Sequence, residues 1–236
     1  MTLRLGLPSK GRLQADAIAW FAARGVTVAR TGSDRAYAGR IDGAEGVELV
    51  LLSAGEIPRE LAAGRLELGV TGRDMVAERI PGGEARLSAL TPMGFGHADL
   101  IVAVPAHWID VETMADLDAA AAAFRARHGR RLRIATKYHT LVRAFFRRHG
   151  IADWRIVDSQ GATEATVLNE TAEAIADITT TGATLTANHL KILEDGLILR
   201  SEATLYARPA EALTSAQRAL LLRLLQQLGL ENATVT

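Results

Sequence analysis

The chain has 236 residues, of which 48% are hydrophobic and 23% charged, and this composition excludes a disordered or fibrous protein. Its 27 basic and 27 acidic residues cancel, which excludes proteins that hold nucleic acid or anionic membranes through a large net positive charge. Any anionic ligand must therefore be bound by a local group of side chains and backbone N–H groups.

The first part of the chain alternates short β-rich runs with helical patterns, which predicts an α/β fold with largely parallel strands. The predicted elements are strand 3–7, helix 13–24, strand 47–53, helix 58–64, strand 66–71 and helix 72–80. Residues 93–97 break both periodicities, so we predict that the chain crosses there into a second lobe.

The same alternation continues in the second part. The predicted elements are strand 100–104, helix 113–128, strand 132–136, helix 141–149, strand 154–159, a short helix after residue 161, strand 174–178, helix 184–189, strand 197–206 and helix 214–228. Strand 197–206 is expected to return to the first lobe.

These elements predict a two-lobed α/β protein with a central cleft, the kind of place where ligands bind. We place the first lobe at residues 1–97, completed by 190–236, and the second at 98–189. Leucines occupy more than one face of helix 214–228, which predicts packing against its own lobe together with a homodimer interface.

The chain contains no cysteine, which excludes disulfides, thiolate metal sites and a cysteine nucleophile. Its six histidines show neither HxH nor HExxH spacing, so we expect no protein-held transition metal. Residues 1–13 lack an apolar stretch of signal-peptide length, and no window approaches 18 uncharged apolar residues. We expect a cytoplasmic protein that binds neither membrane nor nucleic acid.

The segment 174–185 is the strongest functional signal. An apolar strand ends in Asp177, and then come three threonines (179–181), Gly182, Ala183 and Thr184 at a predicted helix start. An Asp carboxylate can accept hydrogen bonds from two sugar hydroxyls, while threonine hydroxyls and successive N–H groups can surround a phosphate. The alternative is ordinary helix capping, in which Thr and Asp are preferred. The clustering of these residues favours a cradle for a phosphorylated ribose.

A second anion-binding pattern follows the first strand. Lys10 and Arg12 bring positive charge to a helix start, and Gly11 allows the backbone to approach a ligand. The alternative is a solvated helix end. Arg73 and Asp74 follow a glycine at another strand end, where a functional loop and a simple N-cap region are equally consistent with the residues.

Six ordered segments resemble the ATP phosphoribosyltransferase family, the first enzyme of histidine biosynthesis. They are 7–13 (Leu-Pro-Ser-Lys-Gly-Arg-Leu), 69–74 (Gly-Val-Thr-Gly-Arg-Asp), 94–96 (Gly-Phe-Gly), 135–138 (Ala-Thr-Lys-Tyr), 161–164 (Gly-Ala-Thr-Glu), and 177–185 followed by Ala187-Asn188. The likeness extends from residue 3 to about residue 206. It implies transfer of the 5-phosphoribosyl group of 5-phosphoribosyl diphosphate (PRPP) to N1 of the adenine of ATP, with release of diphosphate.

The resemblance also implies roles for individual residues. Arg35 and Arg59 are expected to act in catalysis, although the residues alone are equally consistent with Arg35 as a loop arginine paired with Asp34. The expected PRPP-binding residues are Glu164, Asp177, Thr180, Thr181, Gly182, Ala183 and Thr184. The expected ATP- or diphosphate-binding residues are Lys10, Gly11, Arg12, Arg73, Asp74, Lys137 and Tyr138. Tyr138 could stack on a base or simply cover the edge of the core.

Three positions depart from the family pattern. Ser53 stands where the family usually has an arginine, and Arg59 is expected to supply the missing guanidinium. Glu170 and His189 each stand where the family has a glycine. These departures concern individual contacts.

The resemblance implies Mg²⁺ as cofactor, held on the substrate phosphates, and a periplasmic-binding-protein-like fold. The chain length fits the short form of the enzyme, without a C-terminal regulatory domain. The short form is a catalytic subunit that works in a hetero-oligomer with a regulatory subunit related to histidyl-tRNA synthetase.

Two alternatives stay open: an anion- or nucleotide-binding protein of the same fold without catalysis, and a phosphoribosyltransferase for another base. In the large purine and pyrimidine group of the latter, paired acids begin the loop, whereas here Ala176 precedes a lone Asp177.

Overall fold

A computed structural model describes residues 2–30 and 38–233 of the chain. The chain forms two compact units, one made of residues 1–97 and 202–236 and the other of residues 98–201. Each unit has its own β-sheet with helices around it, so the predicted α/β class is confirmed.

The elements of the two units follow one another along the chain. The first unit begins with β1 (Leu3–Pro8), α1 (Gly11–Ala22), β2 (Thr27–Arg30), β3 (Ala38–Asp42), β4 (Val47–Leu52), α2 (Ile57–Ala62), β5 (Leu68–Gly72), α3 (Arg73–Arg79), α4 (Gly83–Arg86) and β6 (Ser88–Pro92). The second unit contains β7 (Ala98–Pro105), α5 (Met114–His128), β8 (Leu132–Thr136), α6 (His139–Arg148), β9 (Trp154–Asp158), α7 (Ala165–Leu168), β10 (Ala174–Thr179), α8 (Ala183–Ala187) and β11 (Leu190–Ser201). The chain then returns to the first unit as β12 (Ala203–Ala207), a short 3₁₀ helix (Ala210–Ala212) and α9 (Ser215–Gln227).

The first unit is built on a seven-stranded sheet in the order β2-β3-β4-β1-β5-β12-β6. Strands β4, β1 and β5 run parallel, and β12 is antiparallel to both of its neighbours. Leu3, Leu5 and Leu7 of β1 are fully buried. They belong to a core that also includes Phe21 of α1 and Leu224 of α9.

The second unit is built on a five-stranded sheet in the order β11-β7-β10-β8-β9. Strand β8 is parallel to both β9 and β10, whereas β7 is antiparallel to β10 and β11. The carboxyl ends of β8, β9 and β10 therefore lie at one edge of this sheet.

The second unit ends at Ser201, twelve residues beyond the predicted end at residue 189. Strand β11 pairs with β7 from Leu190 opposite Pro105 to Ser201 opposite Ala98, with register shifts between Ile192 and Leu197 and between Leu197 and Leu199. The predicted single strand 197–206 is therefore wrong, because residues 197–201 belong to the second sheet and β12 to the first. Both pieces are β-rich, and the sequence pattern does not show that the chain changes sheets near Glu202.

The predicted packing of the last helix against its own unit is confirmed. Leu221, Leu224 and Leu225 are buried in the first core, while Leu222 is 64% exposed. Homodimerisation through this helix stays a prediction. Across the described ranges, no helix is long and apolar enough to span a membrane.

Candidate functional site

Three turns of the first unit lie at one edge of its sheet because they follow the adjacent parallel strands β1, β4 and β5. The Ser9 N–H donates to the Leu52 carbonyl at 2.7 Å, which ties the turn after β1 to the end of β4. The Thr71 hydroxyl donates to the Ala54 carbonyl at 2.7 Å, which ties β5 to the turn after β4. The residues predicted for ATP or diphosphate on this unit are thus carried by one connected edge.

Lys10, Gly11 and Arg12 form the first of these turns. Lys10 is the exposed N-cap residue of α1, and its side chain makes no capping hydrogen bond. Gly11 has φ +77°, a left-handed conformation that favours glycine. Arg12 is 82% exposed, with its Nε 3.9 Å from Asp16 Oδ2. Both cations are therefore accessible to a ligand.

The turn after β4 contains the position where the family arginine is replaced by serine. The Ser53 N–H and hydroxyl both donate to Glu56 Oε2, at 2.9 and 2.6 Å. These hydrogen bonds, that of the hydroxyl first, lower the pKa of the Glu56 carboxyl below its ordinary value. Arg59 is exposed on α2, and its positive charge also lowers the pKa of the Glu56 carboxyl.

Arg73 and Asp74 begin α3 but differ in accessibility. Arg73 is exposed, and its N–H donates to the Glu202 carbonyl at 3.2 Å. Asp74 is only 7% exposed and lies in the first turn of the helix. An acid at this place is favoured by the helix dipole, so its environment supports the helix-end alternative over ligand contact. The predicted catalytic Arg35 lies outside the described residues.

The second unit has a cavity of about 300 Å³ at the carboxyl end of β10. Five of the residues predicted for PRPP line it: Glu164, Asp177, Thr180, Thr181 and Thr184. Ile175, Ile178, Thr179 and Leu185 complete the lining and were not predicted. The structure thus brings Glu164, from the N-terminus of α7, to the loop that follows Asp177.

The loop between β10 and α8 is held by its own threonines. Gly182 has φ +74°, and its N–H donates to Thr179 Oγ1 at 3.0 Å. The Ala183 N–H donates to Thr181 Oγ1 at 3.3 Å. A hydroxyl that accepts one hydrogen bond can still donate another, so Thr179 and Thr181 keep an O–H for an anion in the cavity.

Asp177 is in contact with a second predicted residue. Lys137 Nζ lies 3.3 Å from Asp177 Oδ1, and the two side chains are 31% and 13% exposed. The Ile178 N–H donates to the same oxygen at 2.8 Å. Lys137 therefore belongs to the cavity side of the second sheet.

The predicted stacking of Tyr138 on a base is not supported by its position. Its side chain is fully buried, and its N–H donates to Thr136 Oγ1 at 2.9 Å. A base cannot reach a ring with no exposed surface. Tyr138 therefore fills the core, which was the alternative interpretation of this residue.

A polar pair that the sequence analysis missed lies at the same edge of the second sheet. His139 Nε2 is 2.9 Å from Asp158 Oδ1, and the Gln160 amide donates to that oxygen at 2.8 Å. Thr136 of β8 is in register with Asp158 of β9. The signal was available, because Asp158, like Asp177, is an acid at the end of a predicted strand.

Within residues 2–30 and 38–233, no group of three or more His, Asp or Glu side chains is arranged to hold a metal ion. The cavity does contain two carboxylates, those of Glu164 and Asp177. A divalent cation there would need further oxygen ligands from a substrate, which is the usual mode of Mg²⁺ binding with phosphates.

The sequence matches the family described as HisG: ATP phosphoribosyltransferase over residues 53–229. An ATP phosphoribosyltransferase from Cereibacter sphaeroides is 65% identical over 207 residues, which cover 88% of each chain. Another from Nitrobacter winogradskyi is 55% identical over 87% of this chain but only 63% of its own length. The chain thus has relatives both of similar length and considerably longer.

Solved structures agree with this fold. A chain of the ATP phosphoribosyl transferase (HisG:HisZ) complex from Thermotoga maritima superposes with a TM-score of 0.75 at 22% identity, covering 97% of this chain and 96% of that one. The arginine-bound form of ArgBP from T. maritima gives 0.53 at 13% identity, covering 97% and 95%, so the periplasmic-binding-protein-like class is confirmed. The family match and the 65% identity go further than the fold, and the chain belongs to the ATP phosphoribosyltransferase family.

Proposed function

We propose that the cavity of the second unit holds the PRPP whose 5-phosphoribosyl group this enzyme transfers to N1 of the adenine of ATP, releasing diphosphate. The observation that carries the assignment is the lining of the cavity. Two carboxylates, Glu164 and Asp177, and the hydroxyls of Thr180, Thr181 and Thr184 surround one space of about 300 Å³. Carboxylates accept hydrogen bonds from ribose hydroxyls, and threonine hydroxyls donate to a phosphate.

The loop geometry supports the position of the 5′-phosphate. The hydrogen bonds from Gly182 and Ala183 to Thr179 and Thr181 fix the loop before any ligand arrives. A loop that is already ordered loses less conformational entropy when it binds, so more of the interaction energy remains as affinity. Asp177 then holds the ribose at the other end of the cavity.

The chemistry requires positioning more than proton transfer. C1 of the ribose acquires positive charge as its bond to diphosphate breaks, while negative charge grows on the leaving group. Adenine N1 is a neutral nucleophile, so holding it in line with C1 is a large part of the task. Arg35 and Arg59 are proposed to stabilise the departing diphosphate.

The connected edge of the first unit is proposed to bind the remaining phosphates. Lys10, Arg12 and Arg73 are exposed there, and the chain has no net charge to attract a polyanion from a distance. A local group of cations is therefore needed for ATP or diphosphate. Gly11, with its left-handed backbone, allows close approach of a phosphate to the N–H groups.

Mg²⁺ is the proposed cofactor, bound to the diphosphate of the substrate. Such an ion would neutralise charge on the leaving group, and Glu164 and Asp177 are the cavity residues able to contribute protein oxygens. We also propose a hetero-oligomer with a regulatory subunit related to histidyl-tRNA synthetase. The likeness to a chain of the T. maritima HisG:HisZ complex supports this partner.

The activity is tested with purified protein, ATP, PRPP and Mg²⁺, alone and with a candidate regulatory subunit, by measuring diphosphate release and the phosphoribosylated nucleotide. We expect turnover that EDTA abolishes and Mg²⁺ restores. Binding of PRPP or ATP without diphosphate release in any arm would instead indicate a binding protein of the same fold. Turnover with another base but not with ATP would indicate a different phosphoribosyltransferase.

The cavity assignment is tested by Asp177→Ala, which removes the proposed acceptor of the ribose hydroxyls. Because hydrogen bonds to a charged group are worth about 1.5–3 kcal/mol each, we expect the KM for PRPP to rise about 100-fold, with little change in the KM for ATP. Asp110→Ala, at an exposed turn of the same unit, is the matched control and should leave both values unchanged. Equal effects of the two variants would refute the assignment.

A further inference from the structure

Lys137 directly follows β8, and Asp177 lies in the neighbouring strand β10. Strands β8 and β10 are parallel, with Ile134 opposite Ala174 and Ala135 opposite Ile175. Two residues further along each chain stand Lys137 and Asp177. The strand register therefore places the ammonium and the carboxylate beside each other at the edge of the sheet.

The contacts of the Asp177 carboxylate are concentrated on one oxygen. Lys137 Nζ lies 3.3 Å from Oδ1, and the Ile178 N–H donates to that same Oδ1. Among the hydrogen bonds formed within the described part of the chain, none involves Oδ2. Because Asp177 lines the cavity, one oxygen is held by the protein and the other is available to a ligand.

Lys137 itself is held by its neighbour. Tyr138 is fully buried, and its N–H donates to the side chain of Thr136, which fixes the backbone on either side of Lys137. The ammonium lies 5.3 Å from the centre of the Tyr138 ring, a distance at which a cation is attracted to the ring. The lysine thus reaches Asp177 from a rigid support.

We propose that Lys137 is a positioning residue for PRPP. It acts by holding the Asp177 carboxylate and does not bind ATP. By holding Oδ1, it sets the rotation of the carboxylate so that Oδ2 faces the ribose hydroxyls. Its charge also offsets that of Asp177, which would otherwise repel a ligand carrying a phosphate and a diphosphate. This role rests on the proposed PRPP site and changes the predicted assignment of Lys137, which was to ATP or diphosphate.

The test uses Lys137→Met, which keeps the length of the side chain and removes its charge. We expect the KM for PRPP to rise about tenfold, while the KM for ATP stays within twofold of the original value. Lys137→Arg should recover part of the PRPP affinity. Lys191→Met is the matched control, because Lys191 is a lysine of the same unit that does not line the cavity, with its Nζ 3.5 Å from the Ile109 carbonyl.

A double variant separates positioning from a general structural effect. Once Asp177→Asn has replaced the carboxylate by a neutral amide, adding Lys137→Met should change the KM for PRPP less than it does in the original enzyme. Fully additive effects would overturn the proposal. So would a rise in the KM for ATP with an unchanged KM for PRPP.

Direct PRPP binding, measured by calorimetry with the same proteins, distinguishes this inference from the proposed function. If the original chain does not bind PRPP, the cavity assignment is wrong. If it binds PRPP and Lys137→Met binds it equally well, only the positioning role is wrong. Circular dichroism of each variant shows whether it is folded. If Lys137→Met is not, PRPP binding is measured with Lys137→Arg instead.

Discussion

At the scale of single residues, Gly182 and Gly129 have the same backbone state in different surroundings. Their φ values are +74° and +66°, and a Cβ at either position would meet no atom within 4 Å. Gly129 ends α5, whereas Gly182 begins the short helix beside the cavity. A substitution at either therefore strains the backbone without a steric clash, and only one of them adjoins the proposed ligand.

We predict that Gly182→Ala and Gly129→Ala each lower the free energy of unfolding by about 1 kcal/mol, because alanine is disfavoured in the left-handed region. Only Gly182→Ala should also raise the KM for PRPP, since it disturbs the loop that the Thr179 hydroxyl holds. Urea denaturation and steady-state kinetics check both parts. A normal KM for PRPP in Gly182→Ala would contradict the phosphate position proposed for this loop.

Residue types at strand ends predicted part of the site. For the other candidate residues, the pattern did not show whether the side chain is exposed or buried. Asp177 and the threonines after it were predicted because an acid and hydroxyls at the end of an apolar strand have few structural uses together. Tyr138 and Asp74 also stand just after predicted strands, but their side chains are buried. Burial of one side chain depends on elements distant in sequence, so a local pattern does not determine it.

At the scale of elements, Glu173 ties β8 to the start of β10. Its carboxylate accepts hydrogen bonds from the Arg133 N–H at 2.7 Å and from the Arg133 guanidinium at 2.7 Å, and Arg130 Nη2 lies 3.2 Å away. Burial raises the pKa of Glu173, but the hydrogen bonds and charge of Arg133 outweigh that effect and lower the pKa below its ordinary value. The same contacts support the strand pair that carries Lys137 and Asp177.

We predict that Glu173→Gln lowers the free energy of unfolding at pH 7 by about 2 kcal/mol, because it removes a half-buried charge from its partners. A carboxyl with a lowered pKa in the folded state stabilises above its unfolded pKa of about 4.3 and loses that contribution as the pH falls further. The difference between variant and original should therefore shrink below about pH 4.3.

Urea denaturation at pH 7, 5, 4 and 3 measures this difference. Glu194→Gln, at an exposed position on β11, is the matched control and should have little effect at any of these pH values. A Glu173→Gln difference that stays constant down to pH 3 would show that the carboxylate charge is not the source of the stabilisation.

Periodicity predicted some elements closely and missed others of the same length. Strand 132–136 agrees with β8 residue for residue, and the helix predicted at 113–128 matches α5 with Thr113 as its cap. The strands β2, β3 and β6 were not predicted, because stretches such as β3 (Ala-Gly-Arg-Ile-Asp) contain few of the β-branched and aromatic residues that mark strands. The pairing of β11 with β7 was missed for another reason, since which strands become neighbours depends on packing with elements distant in sequence as well as on the local pattern.

At the scale of the whole molecule, the second unit is a continuous stretch of chain whose ends are neighbours. Ala98 and Ser201 are directly opposite each other in the β7–β11 pair. Its core contains residues such as Ile101, Ile175 and Leu190, which all come from within residues 98–201. A unit with its own core and adjacent ends has what an independent domain needs.

We predict that the fragment 98–201 folds on its own, with a cooperative thermal transition by circular dichroism and dispersed amide signals in NMR spectra. The fragment 98–189, which ends at the boundary expected from sequence, lacks β11 and leaves the edge of β7 unpaired, so it should aggregate or remain unfolded. If the shorter fragment folded as well as the longer one, β11 would not be an integral part of this unit.

The position of β12 between β5 and β6 has a consequence for biosynthesis. After β6 leaves the ribosome, about 100 residues of the second unit must be translated before β12 can join β6 to the first sheet. At roughly 5–20 residues per second this takes about 5–20 s, longer than a domain of that size usually needs to fold. The edge of β5 therefore stays unpaired and accessible to chaperones throughout that interval. The first unit, although its translation begins first, is completed last.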